Sequence, residues 1–176
     1  MRFGGKVGFG LTVCAGLALA IGSAAAQETI GEIVATIDGE TLELRTLAAD
    51  GGADDYNTVL RDFAGIIDVS VMGFPPGRVA MRNVVQITFV VMPGSRYPIE
   101  QEVIFAPEGM SRLWTSLDGE DLITIETLDT SAPMGAVSGR FAGRVCFKPG
   151  IMAEPDPDDC KDIEGTFTSR LPHEQG

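Results

Sequence analysis

Few residue types in this chain are equipped for chemistry, and their spacing limits what they can do. Cys146 and Cys160 stand fourteen positions apart, Cys14 lies in an apolar amino-terminal run, and the single histidine, His173, is close to the carboxy terminus. A serine or cysteine nucleophile needs a base held beside it, and a histidine in a terminal tail is not placed to serve one. Ser138, between Gly135 and Gly139, lacks the glycine spacing and the strand-turn-helix setting of a nucleophile elbow, so it reads as an ordinary strand serine. Zinc and copper sites require imidazoles or several thiolates, and no second cysteine pair or nearby histidine completes one around Cys146 and Cys160.

Carboxylates are the abundant reactive groups. Glu154, Asp156, Asp158, Asp159 and Asp162 offer oxygens to calcium, yet Pro155 and Pro157 alternate with them and break the pattern of the twelve-residue calcium loop with its central glycine. A solvated charge run is the expectation there. Paired carboxylates also hydrolyse glycosidic bonds, although no spacing in the sequence singles out a pair. Phosphate-cradling glycine loops and dinucleotide fingerprints are absent from the pattern, so no cofactor and no bound metal is expected.

The chain of 176 residues opens with positive charge at Arg2 and Lys6, followed by an uncharged, largely apolar run over residues 7–26. That layout is an export signal, and the small residues Ala24 and Ala26 set cleavage before Gln27. Two rival readings are retention of the run as a membrane anchor, whose length it matches, and lipid attachment at Cys14. The small-residue end opposes the first, and Val13 before the cysteine opposes the second. Removing residues 1–26 takes away two basic and no acidic side chains, lowering the formal charge from −12 to −14. Nucleic acid, whose phosphates demand a basic surface, is therefore not an expected partner. Anionic membranes would repel such a protein, and no later segment is apolar enough to span a bilayer as a helix.

The remaining residues suit one domain over 27–172, with a loose tail at 173–176. With Cys14 gone, Cys146 and Cys160 form an even pair in an exported chain, which implies one disulfide.

The elements that must hold these residues read as strands throughout. In residues 30–47, Asp38-Gly39 supplies a two-residue hairpin turn that sets Ile37 opposite Glu40, Ala35 opposite Leu42 and Ile33 opposite Leu44. One face of that hairpin is then apolar and the other polar. Residues 49–57 read as an exposed loop. Ile67, Val69 and Val71 alternate with polar partners until Pro75-Pro76 forbids a continuing ladder. Residues 79–92 place Val85, Ile87, Phe89 and Val91 on one face, with Val84, Val90 and Met92 opposite, as in a strand covered on both sides. Ile99, Gln101, Val103 and Phe105 mark another strand. Asp118-Gly119 predicts a second tight hairpin, with Thr115 beside Leu122 and Trp114 across from Ile123 in the core.

A bond between Cys146 and Cys160 fixes the last strand pair. It sets Phe141 opposite Gly165, Phe167 opposite Gly139 and Ile163 opposite Gly143, so that large apolar side chains cover glycines across the sheet. Arg144 then meets Asp162 on the other face, and residues 148–159 form a solvated hairpin loop.

The fold class expected is all-β, an antiparallel sandwich or flattened barrel of roughly eight to ten strands. The function expected is that of a periplasmic or extracellular, non-catalytic β-domain binding a partner protein, an envelope component or a small ligand. A carboxylate-dependent hydrolase acting on a saccharide and a calcium-stabilised module are the alternatives.

Overall fold

The structure is a computed structural model that describes residues 28–48, 58–77, 80–95, 97–109, 111–117, 119 and 121–174. The export segment with Cys14, its cleavage site at Ala24, Ala26 and Gln27, and the acidic loop at 49–57 lie outside the described residues. Among the described residues every regular element is a strand, and none forms a helix long and apolar enough to cross a membrane.

Strands β1 (Thr29–Ile37) and β2 (Glu40–Leu47) form the first hairpin. Asp38 and Gly39 both adopt positive φ, 49° and 85°, as the two-residue turn requires. Its register is the expected one, with Ile37, Ala35 and Ile33 opposite Glu40, Leu42 and Leu44. A second hairpin joins β3 (Val59–Phe63) to β4 (Ile66–Phe74) through Ala64 and Gly65, which also turn with positive φ of 57° and 89°. Strand β4 continues into β5 (Val84–Val91) and β5 into β6 (Pro98–Ala106), each pair antiparallel. The inward set Val85, Ile87, Phe89 and Val91 is buried as the alternation demands. Covering of the opposite face is confined to the Val84 end, where Val84 joins Leu47, Met72, Phe74, Ala106 and Leu113 in a second apolar cluster against which Met81 packs. Met92, at the other end, is exposed.

The region after β6 departs from the sequence expectation. Strands β7 (Leu113–Thr115) and β8 (Ile123–Asp129) do not pair with each other. Both lie antiparallel along the same edge of β9 (Met134–Lys148), with Thr115 opposite Cys146 and Ile123 opposite Phe141. Trp114 accordingly faces Phe105 of β6 and Phe147 of β9 instead of Ile123. The Asp-Gly dipeptide permits a tight turn without compelling one. Here the flanking residues are claimed by neighbouring strands of much greater length.

Strand β9 and β10 (Asp156–Pro172) are the longest, at 15 and 17 residues. Their register places Cys160 opposite Cys146, Gly165 opposite Phe141, Phe167 opposite Gly139, Ile163 opposite Gly143 and Asp162 opposite Arg144. The Cys146–Cys160 disulfide is formed. A Cβ at Gly165 would lie 2.7 Å from Phe141 Cζ, and one at Gly139 would lie 2.7 Å from Phe167 Cζ, so both glycines leave the space that the rings occupy. Because β10 begins at Asp156, the loop expected over 148–159 is shorter than its composition suggests.

The pairings form a closed circuit, β10-β1-β2-β4-β5-β6-β7-β9 and back to β10, with β3 and β8 attached to β4 and β9. Inside it sits one apolar core that draws on every long strand, including Ile33, Leu44, Val69, Ile87, Phe89, Val103, Phe141, Val145, Phe167 and Leu171. His173 and Glu174, assigned by sequence to a loose tail, are engaged: His173 N donates to Pro133 O and Glu174 N to Leu60 O, and Glu174 pairs with Arg61.

Candidate functional site

Concave, incompletely filled surface is where a β-domain without catalytic motifs would meet a ligand, and the two ends of β9 differ sharply in this respect. At the Phe147 end the interior is sealed. Trp114 lies between Phe105 and Phe147, with ring centroids 6.2 and 5.3 Å away. Lys161 Nζ stands 5.4 Å over the Trp114 ring, and Arg112 stands 5.5 Å over that of Phe147. The lysine also pairs with Asp38 Oδ2 at 2.7 Å, while Asp162 N donates to Asp38 Oδ1 at 3.1 Å. The hydrogen bond and charge of Lys161 hold the Asp38 carboxyl below its ordinary value of 3.8. These contacts fasten the first turn of the chain to its last strand, and the recess beside them is small, about 240 Å3.

At the other end the wall is broken. Strand β6 pairs with β7 only through Ile104 and Phe105, and Ser116 extends that contact with bonds to and from Val103. Farther on, a side chain replaces the backbone: Gln101 Oε1 accepts from Ile123 N at 2.6 Å, and Gln101 Nε2 donates to Asp121 Oδ1 at 3.4 Å. A bulge at β6, where Glu100 has a φ of 50°, turns Ile99 outward. No ladder joins β6 to β8 among the described residues. A cleft of about 670 Å3 opens between β8 and the ends of β4 and β5. Its walls include the inward side chains Ile67, Val91, Ile125 and Leu128, with Asp62 and Glu126 as its charged members. Beside it, Glu100, Glu102 and Asp121 line a second recess of about 570 Å3. Met92 and Ile99 line these openings and are 44% and 41% exposed, and the exposed Phe63 and Ile66 flank the lining residues Asp62 and Ile67.

The two cleft carboxylates already have partners. Asp62 Oδ1 accepts from Gly65 N at 2.7 Å, and Glu126 Oε1 pairs with Arg140 at 3.4 Å. Asp129, just beyond, is held below its ordinary carboxylate value by hydrogen bonds from Ser131.

Known protein families, curated proteins and solved structures provide no match to this chain.

The residues singled out by sequence are distributed unevenly over this geometry. Cys146 and Cys160 are brought together far from the cleft, at the sealed end. Glu154, Asp156, Asp158, Asp159 and Asp162 are not gathered: among the described residues no three histidines, cysteines or carboxylates converge as a metal site would need. Ser138 is a strand residue whose Oγ lies 2.7 Å from Thr127 Oγ1. The cleft itself was not foreseen. Its only signal in the sequence was negative: Ile125 to Asp129 alternate weakly, with Glu126 and Thr127 adjacent, as a strand with a bulge and one uncovered side would.

Proposed function

We propose that this protein is an exported, non-catalytic β-domain that binds a partner protein, an envelope component or a small ligand in the cleft beside β8. In this reading residues 1–26 are a signal peptide cut before Gln27, the mature protein works in the periplasm or outside the cell, and the strand circuit is a flattened barrel. The disulfide, at home in an oxidising compartment, and the lack of a helix fit to span a membrane among the described residues are compatible with that address. The observation that carries the proposal is the cleft, where core side chains such as Ile125 and Leu128 border an opening that no element of the described chain fills. Ligand sites combine such apolar side chains with a few polar groups in one concavity, and here Asp62, Glu126 and Thr127 stand beside Ile125 and Leu128.

The test is affinity capture from the native envelope extract by the mature protein and by Leu128→Arg, which plugs the cleft with a charge. Capture by the parent and loss in the variant supports the reading. Equal capture by both removes the cleft from the function. Because Asp62 and Glu126 both line the cleft, a saccharide hydrolase is the second reading. Saccharide hydrolysis that disappears in Asp62→Asn or Glu126→Gln would put it first.

A further inference from the structure

The free edge of β8 has a recognisable chemistry. Strand β8 forms its ladder with β9 alone among the described residues, which leaves the opposite row of N–H and C=O groups facing the cleft. Leu122 O accepts from Ala142 N and so points toward β9, while Ile123 N points the other way, into Gln101 Oε1. Alternation along a strand then directs the backbone of Ile125, two residues on, away from β9 as well. Gln101 thus supplies the first bond of a strand pairing that continues along β8 with no strand to complete it.

Charge decides what kind of segment fits. The charged residues among those lining the two openings are Asp62, Glu126, Glu100, Glu102 and Asp121, all carboxylates. The described cations near them lie outside these linings, with Arg140 paired to Glu126 and Arg61 sharing a separate recess with Glu100. Glu126 reaches out to Arg140 across a pair that is more than half exposed on both sides. A second copy of this chain, with formal charge −12, would bring carboxylates against carboxylates. A neutral or acidic strand would meet the same field with nothing to offset it.

We infer that the occupant is an extended segment of a partner protein bearing lysine or arginine, which pairs along the open edge of β8. Its apolar side chains enter the cleft over Ile125 and Leu128, and its cations face Glu126, Asp62 and Asp121. This is strand addition, in which backbone bonds give affinity and alternate side chains give specificity. The inference rests on the cleft-binding reading and narrows it to one class of ligand.

The probe is a random peptide library displayed on phage and panned against the full disulfide-bonded protein. The expected winners alternate apolar residues with lysine or arginine. A synthetic copy of one should slow amide exchange at Ile125 and, beyond the bulge, at Leu128 at least tenfold, and should bind at least tenfold more weakly to Glu126→Lys combined with Asp121→Lys. That double variant should keep the parent's melting temperature, since both side chains are at the surface. Winners without cations, protection that falls on other strands, or amides of Ile125 and Leu128 already protected in the free protein would overturn the inference. So would protection that grows with protein concentration alone, which would make the occupant a second copy. Cation-free peptides that still protect Leu128 would overturn strand addition by a basic segment while leaving cleft binding intact. Peptides that never touch the cleft would remove both.

Discussion

Strand β9 carries a closed end and an open end. Around Phe147 the backbone ladders run on both sides, a disulfide ties Cys146 to Cys160, and an aromatic layer with a lysine-carboxylate pair shuts the interior. Around Val137, ten residues and roughly 30 Å along the strand, the same strand supports β8, whose far edge has no partner strand among the described residues. The difference is one of strand pairing rather than of composition. Both ends contain apolar side chains and carboxylates and both are joined to distant segments, but only at the open end does a strand, β8, keep an edge with no ladder among the described residues. In the proposed reading stability and recognition are thereby separated: one end holds the fold while the other stays available.

The sharpest way to break that division is to damage the part both ends share. Gly165→Val places a Cβ 2.2 Å from Val34 O and 2.7 Å from Phe141 Cζ, contacts that neither backbone nor ring can avoid. A loss of about 3 kcal/mol or more is expected, read as a drop in the urea midpoint. Unchanged stability would mean that Phe141 does not cover Gly165.

Next in size is the clasp itself. Reducing Cys146–Cys160, which spans a separation of 14 residues, should cost about 3 kcal/mol in the chain-entropy account. Hydrogen exchange should quicken at Phe147 and Lys161 more than at Leu128. Equal acceleration at both ends would show that the bond acts on the whole domain and not on its closed end.

A pair of truncations then compares the two ends directly. Trp114→Ala removes the middle ring of the aromatic layer and should cost about 2 to 3 kcal/mol, less than a fully buried tryptophan would. Leu128→Ala, on the cleft wall where one side lacks a neighbour, should cost less than about 1 kcal/mol. Thermal melts of both variants decide the matter, and a larger loss at Leu128 would make the cleft a structural seam instead of a site.

The same contrast explains which parts of the molecule could be read from the sequence. The first hairpin was legible because Asp38-Gly39 dictates a turn and the turn dictates a register; the last pair was legible because two cysteines and two glycine-phenylalanine pairings agree on one alignment. Strand β3 was missed because its turn uses Ala64 where a glycine or asparagine would have announced the left-handed conformation. Asp118-Gly119 misled for the opposite reason. Its local signal matches that of the first hairpin, but Thr115 and Ile123 are each drawn to β9, and Trp114 gains two aromatic neighbours that a local hairpin would have denied it. The cleft is a gap between β8 and strands 30 or more residues away in sequence, and no local pattern encodes a missing neighbour. The five acidic residues visible in the sequence as a run are dispersed, whereas those lining the openings come from four separate segments.

The smallest expected effect sharpens the comparison from the closed side. Lys161 lowers the folded-state value of the Asp38 carboxyl, so the folded state holds its charged form more tightly than the unfolded chain does. A lowered carboxyl contributes stability that is complete above its unfolded value of 3.8 and is lost as pH falls through the lower, folded value. Because Asp38 is largely exposed, screening by solvent keeps the contribution under about 1 kcal/mol. Asp38→Asn retains a residue that tolerates the left-handed turn while removing the titrating charge. Its urea midpoint should fall slightly below the parent's at pH 7, and the gap should close below pH 3.8. If the gap instead stays constant with pH, the Lys161 contact does not fasten the turn to β10. Closure of that end would then rest on the aromatic layer and the disulfide alone.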